Sequence, residues 1–176
     1  MYIYPIIYYI LCCVGLRMDS DHTISGYTPF CVEIIEHLFM ANRASCDDVY
    51  LTKNNIKVLF CIDEEYHDIL HDGLPFVGLL RIKRHFTIID DDPSVDIVKI
   101  FDPFFDEIET AIKKEQNVMI HCFAGISRGV TVILAYLMKK LHYSLSDAMK
   151  LIKDKRQNIQ PNQGFMKLLE KIDESL

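Results

Sequence analysis

The residues best suited to chemistry in this chain lie in one stretch, Asn117-Val-Met-Ile-His-Cys-Phe-Ala-Gly-Ile-Ser-Arg-Gly129. Cys122 and Arg128 stand in a C-x5-R spacing with Gly125 between them, after an apolar strand-like run and before an apolar helix-like run. A tight loop at a helix N-terminus points unpaired backbone N–H groups inward, and the helix dipole adds partial positive charge. Such a loop holds a phosphate dianion with few side chains. Gly125 allows a turn that a Cβ would obstruct. A thiol with a pKa near 8.5 is a poor nucleophile at neutral pH, but amide donors, a helix terminus and a nearby guanidinium all favour the thiolate. The planar fork of Arg128 can hold two phosphoryl oxygens and stabilise transition-state charge. Ser127 is placed to donate a hydrogen bond to the sulfur as it leaves. The phosphate-contacting set is therefore Phe123, Ala124, Gly125, Ile126, Ser127 and Arg128, with Cys122 as nucleophile. The plainer alternative makes Cys122 a buried apolar residue and Arg128 a surface charge. The histidine before Cys122, the glycine three after it, the serine before Arg128 and the strand-to-helix context favour the catalytic reading.

The run His121-Cys122-Phe123-Ala124-Gly125-Ile126-Ser127-Arg128 resembles the signature loop of the protein tyrosine phosphatase superfamily, and its H-C-x-A-G-x-S-R form is similar to the dual-specificity branch. Ala135-Tyr136-Leu137-Met138, Lys155-Arg156 and Pro161-Asn162-Gln163-Gly164-Phe165 resemble later landmarks of that branch, so the likeness covers about residues 32–176. It implies hydrolysis of phosphotyrosine and phosphoserine/threonine on a phosphorylated protein substrate, through a phosphocysteine intermediate and without metal or cofactor. It also implies a general acid between Ile89 and Pro93. Counting back from the helix aromatic Phe101 gives Asp91, which fits the family's D-x-P-S pattern; Asp92 and then Asp90 are the alternatives. A solvated acidic turn would account for at least two of these three aspartates. His121 matches the family's loop-orienting histidine, whose hydrogen bonding lowers the pKa of the cysteine. Asn162 matches an asparagine that helps hold the loop, although a helix N-cap explains it equally well.

Some positions depart from the pattern. Gly129 stands where a small hydroxyl residue is usual, and Phe39-Met40-Ala41 replaces the early Y-L-G landmark, so the N-terminal third is divergent. Pro103 falls within the expected helix after the acid loop, with Asp102 as its cap and Pro103 as its first helical residue. No long insertion resembles the loop that deepens the pocket of strictly tyrosine-specific relatives, which favours a shallow site.

The elements that must position these residues read as an α/β fold: a single domain with a central, mostly parallel sheet flanked by helices. Short β-branched and aromatic runs at Val32–Ile35, Lys57–Ile62, Leu79–Ile89 and Val118–His121 alternate with segments of helical period. Residues 127–141 are apolar nearly all round, which predicts a buried central helix. Ser144 and Asp147 form a capping box for a helix to about Gln157, and Pro161-Asn162 opens a last helix.

The 176 residues, half of them apolar, suffice for one core. A formal charge of −6 without a dense basic block argues against a nucleic-acid partner. The six cysteines show no C-x-x-C pair or zinc-ligand spacing, which points to reduced thiols in the cytoplasm or nucleus. Residues 1–25 read as an apolar extension and polar link ahead of a catalytic domain at 26–176. Residues 1–16 are too short to span a bilayer and are interrupted by Pro5. Packing on the domain, or an extension upstream of Met18, fits them better than a membrane anchor. Arg81, Lys83, Arg84 and His85 form a basic cluster that strand alternation divides between two faces. Two further functions compete with the leading one: an RNA 5′-phosphatase, and a module that binds phosphoproteins without turnover. Oligomeric state is not legible.

Overall fold

The computed structural model describes residues 28–46, 48–63 and 82–176. The extension at 1–25 and Arg81 lie outside the described residues. Five strands, β1 (Cys31–Ile35), β2 (Leu38–Asn42), β3 (Ile56–Asp63), β4 (Lys83–Ile88) and β5 (Asn117–Cys122), form one sheet in the order β1-β2-β5-β3-β4. Only β1 is antiparallel to its neighbour; the β2–β5, β5–β3 and β3–β4 pairs are parallel, so the mostly parallel sheet expected from the sequence is the one that forms. Parallel strands need crossovers and cover on both faces. Helices α1 (Asp48–Lys53), α2 (Phe101–Ile112), α3 (Arg128–Leu141), α4 (Leu145–Lys155) and α5 (Gln163–Ser175) flank the sheet.

The central strand β5 is buried on both faces. Val118, Ile120 and Cys122 join the larger apolar cluster with residues of α2 to α5, while Met119 joins Ala41, Leu51 and Leu59 on the opposite face. Asn42 and Ile62 both pair with Cys122, so β2, β3 and β5 end together. Their carboxyl ends lie on the side where open parallel sheets place ligands. Strand β2 departs from the sequence reading, which gave Phe39-Met40-Ala41 no strand. Its Leu-Phe-Met-Ala-Asn run has no β-branched residue, yet all five positions are buried between β1 and β5, and that burial outweighs local propensity.

Helix α3 is buried from Arg128 through Met138, as its apolar circumference predicts. It stops where His142 turns left-handed (φ 59°) and Tyr143 N–H donates to Leu137 O. Helix α4 starts on Ser144, whose Oγ accepts from Asp147 N–H. It ends at Lys155, two residues earlier than expected, because the chain becomes extended at Arg156 and Gln160 N–H then reaches Ile126 O (2.7 Å).

Helix α2 corrects a second expectation. It begins at Phe101 directly after a 3-10 turn at Val98–Ile100, so Asp102 is not its cap and Pro103 lies within its first turn, where proline is tolerated. The basic run of β4 does divide by face: Lys83 pairs with Glu107 and His85 stacks on Phe60, while Arg84 lies between them in alternation. No helix among the described residues is long and apolar enough to cross a membrane.

Candidate active site

Cys122 ends β5 at 1% exposure, and the chain turns through residues 123–127 before α3 begins at Arg128. Three carbonyls of this loop are held by hydrogen bonds. Phe123 O accepts from Arg43 N–H (3.1 Å), Ile126 O from Gln160 N–H, and Ser127 O from both Thr131 N–H (2.8 Å) and Thr131 Oγ1 (2.9 Å). The N–H groups of Ala124 through Ser127, by contrast, donate to no other described residue. A loop with amide donors left over is what an oxyanion cradle needs. Gly125 makes the turn with φ +65°, and a Cβ there would lie 2.5 Å from Phe30 Cζ and 2.7 Å from Ala41 O, so the position has no room for a side chain.

Arg128 is 3% exposed, its guanidinium donating to Ile89 O (3.0 Å). Its Nε lies 4.0 Å from Asp91 Oδ2, and its Nη1 lies 3.6 Å from Asp63 Oδ1. Asp91 is docked on the loop: Oδ1 accepts from Ser127 Oγ (2.6 Å) and from Asn162 Nδ2 (2.8 Å). Asn162 makes contacts on both sides of this junction. Its Oδ1 caps α5 by accepting from Phe165 N–H, and its backbone N–H donates to Ser127 Oγ (3.2 Å). Ser127, expected to serve the sulfur, here donates its hydroxyl hydrogen bond to Asp91.

The two alternative acids sit differently. Asp92 closes a local turn, accepting from Ser94 N–H and Ser94 Oγ, and these hydrogen bonds hold its carboxyl below the usual range. Asp90 is exposed and does not join the loop network.

His121 is fully buried beneath the loop. Desolvation holds its pKa down at about 4, against the pull of the Asp63 carboxylate, so the ring is neutral. Cys61 pairs with His121, whereas Cys122 pairs with Ile62, so the two thiols point to opposite faces of the sheet. Burial, then Asp63, pushes the Cys61 thiol up to about 12. Among the described residues no group of three or more His, Cys, Asp and Glu side chains is placed to hold a metal ion.

Three participants, Phe30, Arg43 and Asp63, were not singled out from sequence, and Gly164 was named there only as part of a landmark. Phe30 fills the space against Gly125 and carries the Arg156 guanidinium 3.4 Å above its ring. Gly164 lets the acid loop close, because a Cβ there would stand 1.9 Å from Pro93 O. Arg43 and Asp63 flank the loop at the ends of β2 and β3. A charge ending an otherwise apolar strand was the available signal for Asp63.

Comparison with known proteins agrees with this geometry. A model of the dual specificity phosphatase catalytic domain matches residues 38–174. Human dual specificity protein phosphatase 9 is 44% identical over 88 residues, covering 50% of this chain and 23% of the relative. Human dual specificity protein phosphatase 7 is 42% identical over 150 residues, covering 84% of this chain and 34% of the relative. The chain thus spans well under half the length of these two relatives. The crystal structure of DUSP15 superposes with a TM-score of 0.72 at 27% identity, over 81% of this chain and 86% of that one. Since the family match takes in most of the chain, including the strand-loop-helix that carries Cys122 and Arg128, the chain belongs to the dual-specificity branch of the cysteine-based protein tyrosine phosphatase superfamily.

Proposed function

We propose that this chain hydrolyses phosphotyrosine and phosphoserine/threonine on protein substrates through a phosphocysteine intermediate, with Cys122 as nucleophile, Arg128 as phosphate clamp and Asp91 as general acid and base. One observation carries the reading: Cys122, Arg128 and Asp91, the residue types this chemistry requires, converge on a single loop, with Asp91 hydrogen-bonded to Ser127 and 4.0 Å from Arg128.

In the first half-reaction the Cys122 thiolate attacks phosphorus. A P–S bond forms, the ester P–O bond breaks, and the departing oxygen takes a proton from Asp91. Arg128 and the loop amides stabilise the charge spread over the equatorial oxygens. In the second half Asp91 takes a proton from water, the water oxygen attacks phosphorus, and the P–S bond breaks to return the thiolate. The Ser127 hydroxyl pointing at Asp91 suits the base form of the second half. As Asp91 takes up a proton, that hydroxyl is released to turn toward the departing sulfur. Chemistry that depends on a free thiol fits a reduced intracellular compartment.

The test is phosphate release from an aryl phosphate and from phosphoserine and phosphotyrosine peptides by the native protein, Cys122→Ser and Asp91→Ala, in chelator. Release that vanishes in the serine variant and falls about 10²-fold or more in the alanine variant supports the assignment. Phosphopeptide binding without release would leave a binding module, and preferential release from RNA 5′ ends would redirect the substrate class.

A further inference from the structure

Asp63 and Arg43 lie outside the phosphate loop and take no part in the steps above, yet both are joined to it. Asp63 is the last residue of β3, only 6% exposed, with a guanidinium on each side: its Oδ1 lies 3.6 Å from Arg128 Nη1 and its Oδ2 lies 3.8 Å from Arg43 Nη1. Arg43 follows directly on β2. Its backbone N–H donates to Phe123 O, and its guanidinium rests 5.7 Å from the centre of the Phe123 ring. One buried carboxylate thus connects a guanidinium at the first residue after the nucleophile with the guanidinium that closes the loop.

The charges explain why two arginines are present. A carboxylate behind Arg128 orients the fork, but alone it would also neutralise the charge that the phosphate needs. Asp91 supplies a second carboxylate 4.0 Å from Arg128. With Arg128 alone against Asp63 and Asp91, these side chains would sum to −1 and repel a phosphate dianion. Arg43 brings the sum to zero, and protonation of Asp91 for the first half-reaction then leaves these four side chains at a charge of about +1, which offsets the Cys122 thiolate as the phosphoryl group enters.

We propose that Asp63 and Arg43 are positioning residues for the phosphate clamp: Asp63 orients Arg128 from behind, and Arg43 neutralises Asp63 so that the clamp keeps its charge for the substrate. This rests on Arg128 acting as the phosphate ligand.

The experiment measures orthovanadate affinity by calorimetry, together with kcat and KM on an aryl phosphate, for Arg43→Lys, Arg43→Gln, Asp63→Asn and the Arg43→Gln/Asp63→Asn double variant. Arg43→Lys keeps the compensating charge and should hold native affinity. Arg43→Gln should weaken vanadate binding about tenfold, and that loss should disappear in the Asp63→Asn background, a coupling within the usual range for neighbours in one charge network. Equal loss in both backgrounds, or no loss in either, overturns the proposal. If Arg43→Gln alone does not fold, Asp63→Asn decides: kcat should fall about tenfold with vanadate affinity kept or tightened. A fall in both, or in neither, overturns it. A native protein that binds no oxyanion overturns the clamp reading as well, whereas native binding with additive variants overturns only the roles of Arg43 and Asp63.

Discussion

Gly164→Ala places a methyl group where the first turn of α5 meets the acid loop, and the consequence can be worked from distances. The added Cβ would lie 1.9 Å from Pro93 O and 2.6 Å from both Pro93 C and Cα. All three are backbone atoms, so no rotamer change relieves the overlap. Restoring ordinary carbon–oxygen contact requires the Pro93 peptide to retreat by about 1.5 Å. Asp91 is two residues away, held by hydrogen bonds of 2.6 and 2.8 Å that a displacement of that size would break. Misplacing a catalytic group by about 1 Å costs on the order of 10²-fold in rate. That loss should fall on the step needing a proton. We expect kcat on a phosphoserine peptide, whose alkoxide leaving group must be protonated, to fall about 10²-fold. On an aryl ester with an acidic phenol it should fall less than about tenfold. A melting curve separates this from global damage, since overpacking costs about 1–3 kcal/mol. Equal losses on the two substrates, or native kcat on the peptide, would refute the claim that Gly164 acts through the acid loop.

Other expectations follow from the same contacts. Gly125→Ala would force a Cβ against Phe30 and Ala41 O at positive φ, and should lower kcat/KM on an aryl phosphate by about 10²-fold through distortion of the cradle. Ser144→Ala removes the cap of α4 and should cost about 1 kcal/mol in chemical denaturation while leaving kcat unchanged. His121 binds its proton less readily folded (about 4) than unfolded (near 6.5), so its contribution to stability is complete above pH 6.5 and is lost as pH falls toward 4. The loss should reach on the order of 3 kcal/mol, measured as the difference in unfolding free energy between the native protein and His121→Asn across that range.

Much of the site was legible because its chemistry is local. Cys122, Gly125, Ser127 and Arg128 occupy one short loop, and the strand and helix on either side have unmistakable patterns. The position of Asp91 came from the family pattern, not from the run of three aspartates itself. What distinguishes it physically is the reach of Ser127 and Asn162, which only the fold supplies. Arg43 and Asp63 were missed for the same reason: they meet Arg128 only because β2, β3 and β5 end together, and no spacing along the chain records that. The early strand β2 was hidden because it has no β-branched residue and Leu38, Met40 and Ala41 favour helix when considered alone, and the start of α2 was misplaced because Asp102-Pro103 imitates a cap that the preceding 3-10 turn makes unnecessary.

The most direct test of the central claim is to quench the reaction with acid during turnover of a phosphotyrosine peptide and map the phosphoryl group by mass spectrometry. The mechanism predicts a phosphoryl group on the peptide containing Cys122, absent from Cys122→Ser, which should also release no phosphate. Turnover with Cys122 unmodified at every time point, or phosphate release that persists in Cys122→Ser, would contradict it.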